Sequence, residues 1–428
     1  MSLPTILRLG LRQLAAGMLS VLALGILNRV MKVEMGLGLG VVSLVIGAHY
    51  FAAPVSIPLG HRSDRRPYFG LHRTPYIAAG TAVTVVATVL APFVAFLIEG
   101  QGGSPPAAAV GVLLFLFMGA GMYTAGAAYL SLLTDLTQEA ERGKVISIIW
   151  SMMMVGILAG VFLGVQVMGH YSPPALVALF LMTAGIVALC TAVAVWGVER
   201  RGSEVKPSEE AQSLPQAMGL LAGSRQVQLF FSFLFCGIFF LFLQQTALEP
   251  FGGDVFGMSV RETTLFNAFQ MVGVLLGMGV AGAWLSKRMG PQPTAGLGAL
   301  GAAASFALLA MASAGHQVML VRPAIFLMGL GMGIFNVGAL SLMMGLTAAG
   351  RVGLFMGAWT LAQALANGLS ALGGGLVHDL GLAVAGQEGL AYAAVFGVEA
   401  GGLGLTLLLM ARLSVAEFRA EAAGVAVV

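Results

Sequence analysis

Met118-Gly119-Ala120-Gly121-Met122, trailed by Ser131-Leu132 and Leu136-Thr137, returns at one fixed offset as Met328-Gly329-Leu330-Gly331-Met332, Ser341-Leu342 and Leu346-Thr347. A second echo sets Gly60…Arg65-Arg66 against Gly282…Lys287-Arg288. Both copies of the glycine motif lie inside long apolar runs, so the repeated object is a group of helices. Paired small residues suit helices that approach closely in lipid, where no hydrophobic effect drives them together.

Composition sets the solvent. Hydrophobic residues make up 58% of the 428 positions and charged residues 9%, against about 25% charged in soluble domains. So few charges cannot cover a water-facing surface. The apolar residues come in blocks long enough to cross a hydrocarbon core of about 30 Å as helices. Twelve such blocks are expected, among them Leu11–Asn28, Gly36–Leu59, Val227–Leu248, Val352–Leu372 and Leu390–Ala411. The polar stretch Val198–Gln226 divides them six and six. The expected organisation is an N-terminal bundle over residues 1–197, a linker over 198–226 and a C-terminal bundle over 227–428. The first block has no small-residue cleavage site after it and reads as a retained helix.

Orientation follows from the cations. With both termini inside, seventeen of the 21 lysines and arginines fall in cytoplasmic segments, and only Arg29, Lys32, Arg261 and Arg322 fall outside. That is a strong positive-inside bias. No basic run resembles a nucleic-acid site. Nor is there a phosphate-cradling Gly-Lys-Ser loop, a metal-spaced cysteine pair or a Gly-x-Ser-x-Gly elbow, so no enzyme is expected.

Duplicated six-helix units are what the major facilitator architecture looks like in sequence. The loop Gly60-His61-Arg62-Ser63-Asp64-Arg65-Arg66 resembles that superfamily's motif between helices two and three, and Asp64, Arg65, Arg66 and Asp135 with Arg142 are expected to form a cytoplasmic gate or brace. Here the loop runs on through Pro67-Tyr68-Phe69-Gly70-Leu71-His72-Arg73, and this longer form resembles the PucC/LhaA family. Three further segments carry the same resemblance: Leu27-Asn28-Arg29-Val30-Met31-Lys32-Val33-Glu34, Thr134-Asp135-Leu136-Thr137 with Arg142-Gly143-Lys144, and Leu248-Glu249-Pro250-Phe251-Gly252-Gly253-Asp254. Two departures stand out: His72 replaces an expected cation, and Ser286 replaces the acid of the second-half echo.

The resemblance implies a protein of the bacterial inner or photosynthetic intracytoplasmic membrane that assembles light-harvesting complexes. It would hold or hand over (bacterio)chlorophyll, or shepherd antenna polypeptides. Its implied partners are antenna polypeptides, pigment-synthesis enzymes and membrane lipid. The alternative is a secondary transporter of a small lipophilic solute.

By the same fold resemblance, helices one, four, seven and ten line a central cavity. Their polar groups are few: Tyr123, Gln244, Gln245 and Asn336 are the main candidates for touching a pigment or partner. None is charged, so the lining suits an apolar ligand better than a sugar or an ion. Two ionisable residues sit deep in apolar blocks. His49 is a candidate ligand for a chlorin magnesium through a neutral ring nitrogen; its plainer role is a hydrogen bond to a neighbouring helix. Glu399 carries an insertion cost of about 2.5 kcal/mol or more if charged and unpaired, so it is expected to be neutral or partnered. Its place on a usually peripheral helix suits a lipid-accessible pigment or a partner helix. Arg29, Lys32, Glu34, Glu249 and Asp254 form an expected outer-face cluster, with Pro250, Gly252 and Gly253 shaping a tight turn.

Overall fold

The computed structural model describes residues 1–55, 58–59, 62–63, 66–137, 141–199, 225–346, 352–414 and 417. These residues are almost entirely helical. Ten helices among them are long and apolar enough to cross a membrane. The first two expected spans lie outside that set. Leu3–Ser20 continues through π-helical Val21–Ile26 and Leu27–Arg29 into π-helical Val30–Glu34, and this run carries Arg8, Arg12, Arg29, Lys32 and Glu34. The second is the shorter apolar stretch Leu39–Val55, whose last eight residues tighten into a 3-10 helix.

Proline marks several helix starts, where a missing N–H costs nothing. Thr74–Gly100, Pro105–Leu136, Pro173–Val195 and Pro291–Ala314 all carry it in their first turn. The Ser172 hydroxyl adds a cap by accepting from the Ala175 N–H at 3.3 Å.

The chain divides into two compact units: Met1–Glu209 with Gly257–Asn267, and Glu210–Phe256 with Ala268–Val428. The C-terminal bundle expected over 227–428 therefore yields one turn-and-helix start to the first unit. Val260 sits in a core cluster with Ile26, Met31, Leu176 and Phe180, and the Met258 carbonyl accepts from the Arg29 guanidinium at 2.7 Å.

Each unit repeats one packing plan. In the first, Thr74–Gly100 packs along Pro105–Leu136 and against Pro173–Val195, while Leu3–Ser20 packs on Arg142–Val167 and Pro173–Val195. In the second, Pro291–Ala314 packs along Val318–Leu346 and against Glu388–Ala411, while Arg225–Phe242 packs on Val352–Ala385 and Glu388–Ala411. The partners correspond helix for helix.

The repeated glycine motif is the hinge of that plan. A Cβ at Gly119 would collide with the His49 carbonyl, and one at Gly121 with the Gly80 carbonyl. In the second unit a Cβ at Gly329 would strike the Gln270 carbonyl, and one at Gly331 would press on Ala302 and the Gly298 carbonyl. The first glycine of each motif thus admits one neighbouring helix and the second admits another, on opposite flanks.

Two elements differ from expectation. The eleventh helix runs Val352–Ala385, well past Leu372. Its Gly373 and Gly374, which look like breakers in sequence, are packing positions: a Cβ at Gly374 would collide with the Leu243 carbonyl. The Glu249-Pro250-Phe251-Gly252-Gly253 run is not a tight turn but part of the helix Leu248–Phe256. Pro250 lies in its first turn, where proline is tolerated. The turn falls at Gly257, whose φ of 65° needs glycine.

Candidate functional site

His49 lies in the 3-10 stretch Ala48–Val55 of the first unit and is 5% exposed. Its Nδ1 bonds the Ile46 carbonyl at 2.6 Å. A carbonyl only accepts, so Nδ1 carries the proton and Nε2 keeps its lone pair. That is the arrangement by which proteins orient metal-ligating histidines. The Tyr50 ring lies 3.9 Å away, centroid to centroid, at 36°, and the helix carrying Gly119 crowds the His49 backbone. Tyr123, on that same helix, is half-buried.

At one end of this unit the extended loop is tied down by a polar network. Arg73 is buried, and its Nε donates to Asp135 Oδ2 at 3.0 Å while Nη1 donates to Ser63 Oγ at 2.7 Å. Glu199 accepts three backbone N–H groups: His72 at 2.6 Å, Arg73 at 2.9 Å and Thr74 at 2.7 Å. These are orphan donors at the start of Thr74–Gly100, so Glu199 caps that helix from a distant segment. Burial pushes the Glu199 carboxyl up, but the N–H groups of Thr74, Arg73 and His72 together outweigh it and hold the group below its ordinary value. Phe69 and Gly70, with φ of 55° and 77°, form a two-residue turn closed by paired Tyr68–Leu71 bonds of 2.9 and 3.0 Å. Phe69 at its tip is 88% exposed, and Arg66 is exposed beside it. Gly60, Asp64 and Arg65 lie outside the described residues, as does the side chain of Arg142.

The second unit holds Glu399 and the paired glutamines. The helix Arg225–Phe242 gives way to 3-10 Leu243–Thr246 before helix resumes at Leu248. That break frees backbone donors, and the Gln244 N–H is taken by Glu399 Oε1 at 2.6 Å. Glu399 is fully buried, so the expected lipid-accessible position is corrected. Its Oε2 has no hydrogen-bond partner among the described residues. Gln245 Nε2 donates to the Asn367 carbonyl at 3.0 Å and to Ser370 Oγ at 3.3 Å, and Thr246 Oγ1 donates to the Ala371 carbonyl at 3.2 Å. The break is thus stitched to Val352–Ala385 by side chains. Asn336 is half-buried on Val318–Leu346.

The expected outer-face cluster divides between the units. In the first, the buried Arg29 bridges to Glu34 Oε1 at 2.5 Å, and Lys32 is buried nearby in sequence. In the second, Glu249 is buried, and Asp254 accepts the Tyr392 hydroxyl at 2.7 Å. Tyr392 packs on His378, ring centroids 4.4 Å apart. His378 is fully buried and meets Asp379 at 3.0 Å through Nδ1 and Glu388 at 2.8 Å through Nε2. Sequence reading missed this histidine because it ended the helix at Leu372 and left His378 in a loop. Glu199 was missed too, being one of several acids in a polar linker. Among the described residues no group of three or more His, Cys, Asp or Glu could hold a metal ion.

The comparisons with known proteins agree with one another. The family model described as PUCC protein matches residues 26–418. "Protein PucC" of Rhodobacter capsulatus is 30% identical over 413 residues, 93% of this chain and 89% of that protein. The "Bacteriochlorophyll synthase 44.5 kDa chain" of the same species is 33% identical and covered to 92% on both sides. Among solved structures, a variant of the nucleoside transporter NupG superposes with a TM-score of 0.74 at 13% identity, over 96% of this chain and 99% of that one. At that identity the likeness speaks for the fold, which is the major facilitator type.

Proposed function

The chain belongs to the PucC family, and on that premise we propose that it is an inner-membrane assembly factor for light-harvesting complexes, both termini cytoplasmic, delivering (bacterio)chlorophyll to antenna polypeptides. The observation that carries this reading is the family match along nearly the whole chain, with relatives named for PucC and for bacteriochlorophyll synthesis. The side chains support a carrier of apolar cargo. Tyr123, Gln244, Gln245 and Asn336 are uncharged, and the amide of Gln245 is committed to bonds within its own unit. Little is left to replace the hydration of a sugar or an ion.

His49 fits a chlorin in part. Its neutral tautomer is set by Ile46 and leaves Nε2 with a lone pair for magnesium. The ring is nearly covered, so a macrocycle reaches it only as Tyr50 or the Gly119 helix gives way. Bound there, a chlorin would be held by His49 through Nε2, and the surrounding aromatic and aliphatic side chains would exclude water.

The test is an absorption spectrum of the mildly solubilised, purified chain from a bacteriochlorophyll-producing host, wild type beside His49→Leu. A stoichiometric chlorin band that weakens in the variant is the expected result. An unchanged band would keep pigment carriage and discard His49. Pigment-free protein in both would remove carriage and favour a lipophilic-solute transporter.

A further inference from the structure

The first unit carries a groove of 340 Å³ that the pigment reading does not use, a volume within the range of small-molecule sites. Its lining is apolar along most of its length: Leu59, Ala79, Gly80, Val83, Phe117 and Gly121. Its other end is polar, with the exposed Arg62 and the hydroxyls of Tyr68 and Tyr76. Gly80 and Gly121 let the two helices close backbone to backbone at the floor of the groove, and the side chains on either side of that crossing form its walls.

The helix stripes show which way it opens. Ala79 and Val83 continue the outward stripe Val86, Leu90, Phe93 and Leu97 of Thr74–Gly100, at alternating spacings of three and four. Phe117 and Ala120 likewise continue the exposed stripe Val110 and Leu113 of Pro105–Leu136. Exposed apolar stripes on membrane-spanning helices face lipid, so the groove opens on the lipid side.

The polar end is built to hold its charge in place. The Tyr76 hydroxyl donates to the Arg62 carbonyl at 3.1 Å and the Arg66 carbonyl at 3.3 Å, which pins the loop backbone. Among the described residues the Arg62 side chain has no carboxylate partner; its Nη2 lies 3.4 Å from the Tyr68 hydroxyl, and it also interacts with the Tyr76 hydroxyl. A guanidinium that has no carboxylate partner among the described residues, at the mouth of an apolar slot, complements an anionic headgroup above a hydrocarbon chain.

We propose that this groove retains one anionic phospholipid of the surrounding bilayer, its phosphate at Arg62 and the Tyr68 hydroxyl and one acyl chain along Ala79, Val83 and Phe117.

The test equilibrates the purified chain with vesicles of equal phosphatidylglycerol and phosphatidylcholine, then counts retained lipids by native mass spectrometry. The wild type is expected to retain one lipid, phosphatidylglycerol over phosphatidylcholine by about fivefold, the effect of one cation beside an anionic lipid. Arg62→Gln is expected to bring the two lipids to parity. Arg66→Gln, exposed on the same loop but outside the lining, keeps the wild-type ratio. Ala79→Phe, which fills the slot from an exposed position, is expected to lose the retained lipid of either kind. Should that variant misfold, the ratio in Arg62→Gln still decides. Equal retention by the wild type, an unchanged ratio in Arg62→Gln, or a chlorin mass in place of the lipid would each overturn the proposal.

Discussion

Glu399 and Glu199 do similar work at different depths, each accepting backbone N–H groups that a helix break or a helix start leaves over. Replacing Glu399 with Leu would orphan the buried Gln244 N–H and cost about 1–3 kcal/mol. Glu399→Gln keeps an acceptor of the same shape and is expected to melt close to wild type in detergent. A Gln variant as unstable as the Leu variant would mean that the carboxyl does more than accept. For Glu199 the effect depends on pH. Its folded pKa lies below the ordinary value, so its stabilisation is full above the unfolded value of about 4.3 and is lost as pH falls through the folded one. Glu199→Gln should therefore melt lower than wild type at pH 7, by the equivalent of about 1 kcal/mol for a weakened cap. That gap should close as melting is repeated toward pH 3. The sequence announced Glu399 as a charge in an apolar run, but it could not reveal the partner, because the helix break at Leu243 has no proline or glycine to mark it. Glu199 was illegible for a different reason: its meaning comes from a loop more than a hundred positions away.

At the scale of elements, the glycine pairs were readable and their purpose was not. Met118-Gly119-Ala120-Gly121-Met122 identifies a repeat, yet only packing shows that one glycine admits the His49 backbone and the next admits Gly80. Gly119→Val and Gly329→Val should each cost about 1–3 kcal/mol by overpacking, read as lowered melting and lowered yield. Gly397→Val is the control, since a Cβ there meets nothing. Equal loss at all three would remove the packing explanation. Gly373 and Gly374 lie just past the expected end at Leu372, yet in lipid a glycine within a helix more often marks a close neighbour than an end. The missed length of that helix hid His378 and Asp379, and Glu388 lies two positions before the expected start of the next one. The loop after the second block was recognised as a motif, but the Asp135 partner named from sequence was Arg142, whose side chain lies outside the described residues; the pair observed is Arg73 with Asp135. Because Asp135 is exposed to solvent, breaking this pair with Arg73→Leu should cost only about 1 kcal/mol, measurable by the same melting assay.

For the whole molecule, composition, block length and internal repetition suffice to reach a duplicated helical membrane protein, because each is a bulk constraint that lipid imposes on every span. The family is legible from short runs such as Asn28-Arg29-Val30-Met31 and Glu249-Pro250-Phe251-Gly252-Gly253, and the match over residues 26–418 agrees. The ligand is less legible, since apolar cargo is recognised by shape and leaves few polar signatures. His49 is the exception, conspicuous as a histidine inside an apolar block, and its Nδ1 is bonded to the Ile46 carbonyl. The central claim is that antenna complexes need this chain for their assembly. Its most direct measurement is the near-infrared absorbance of membranes from the native bacterium with the gene deleted, beside the same strain carrying a plasmid copy. The account predicts that antenna bands fall in the deletion and return with the plasmid, while free pigment synthesis continues. Antenna bands unchanged by the deletion would contradict it.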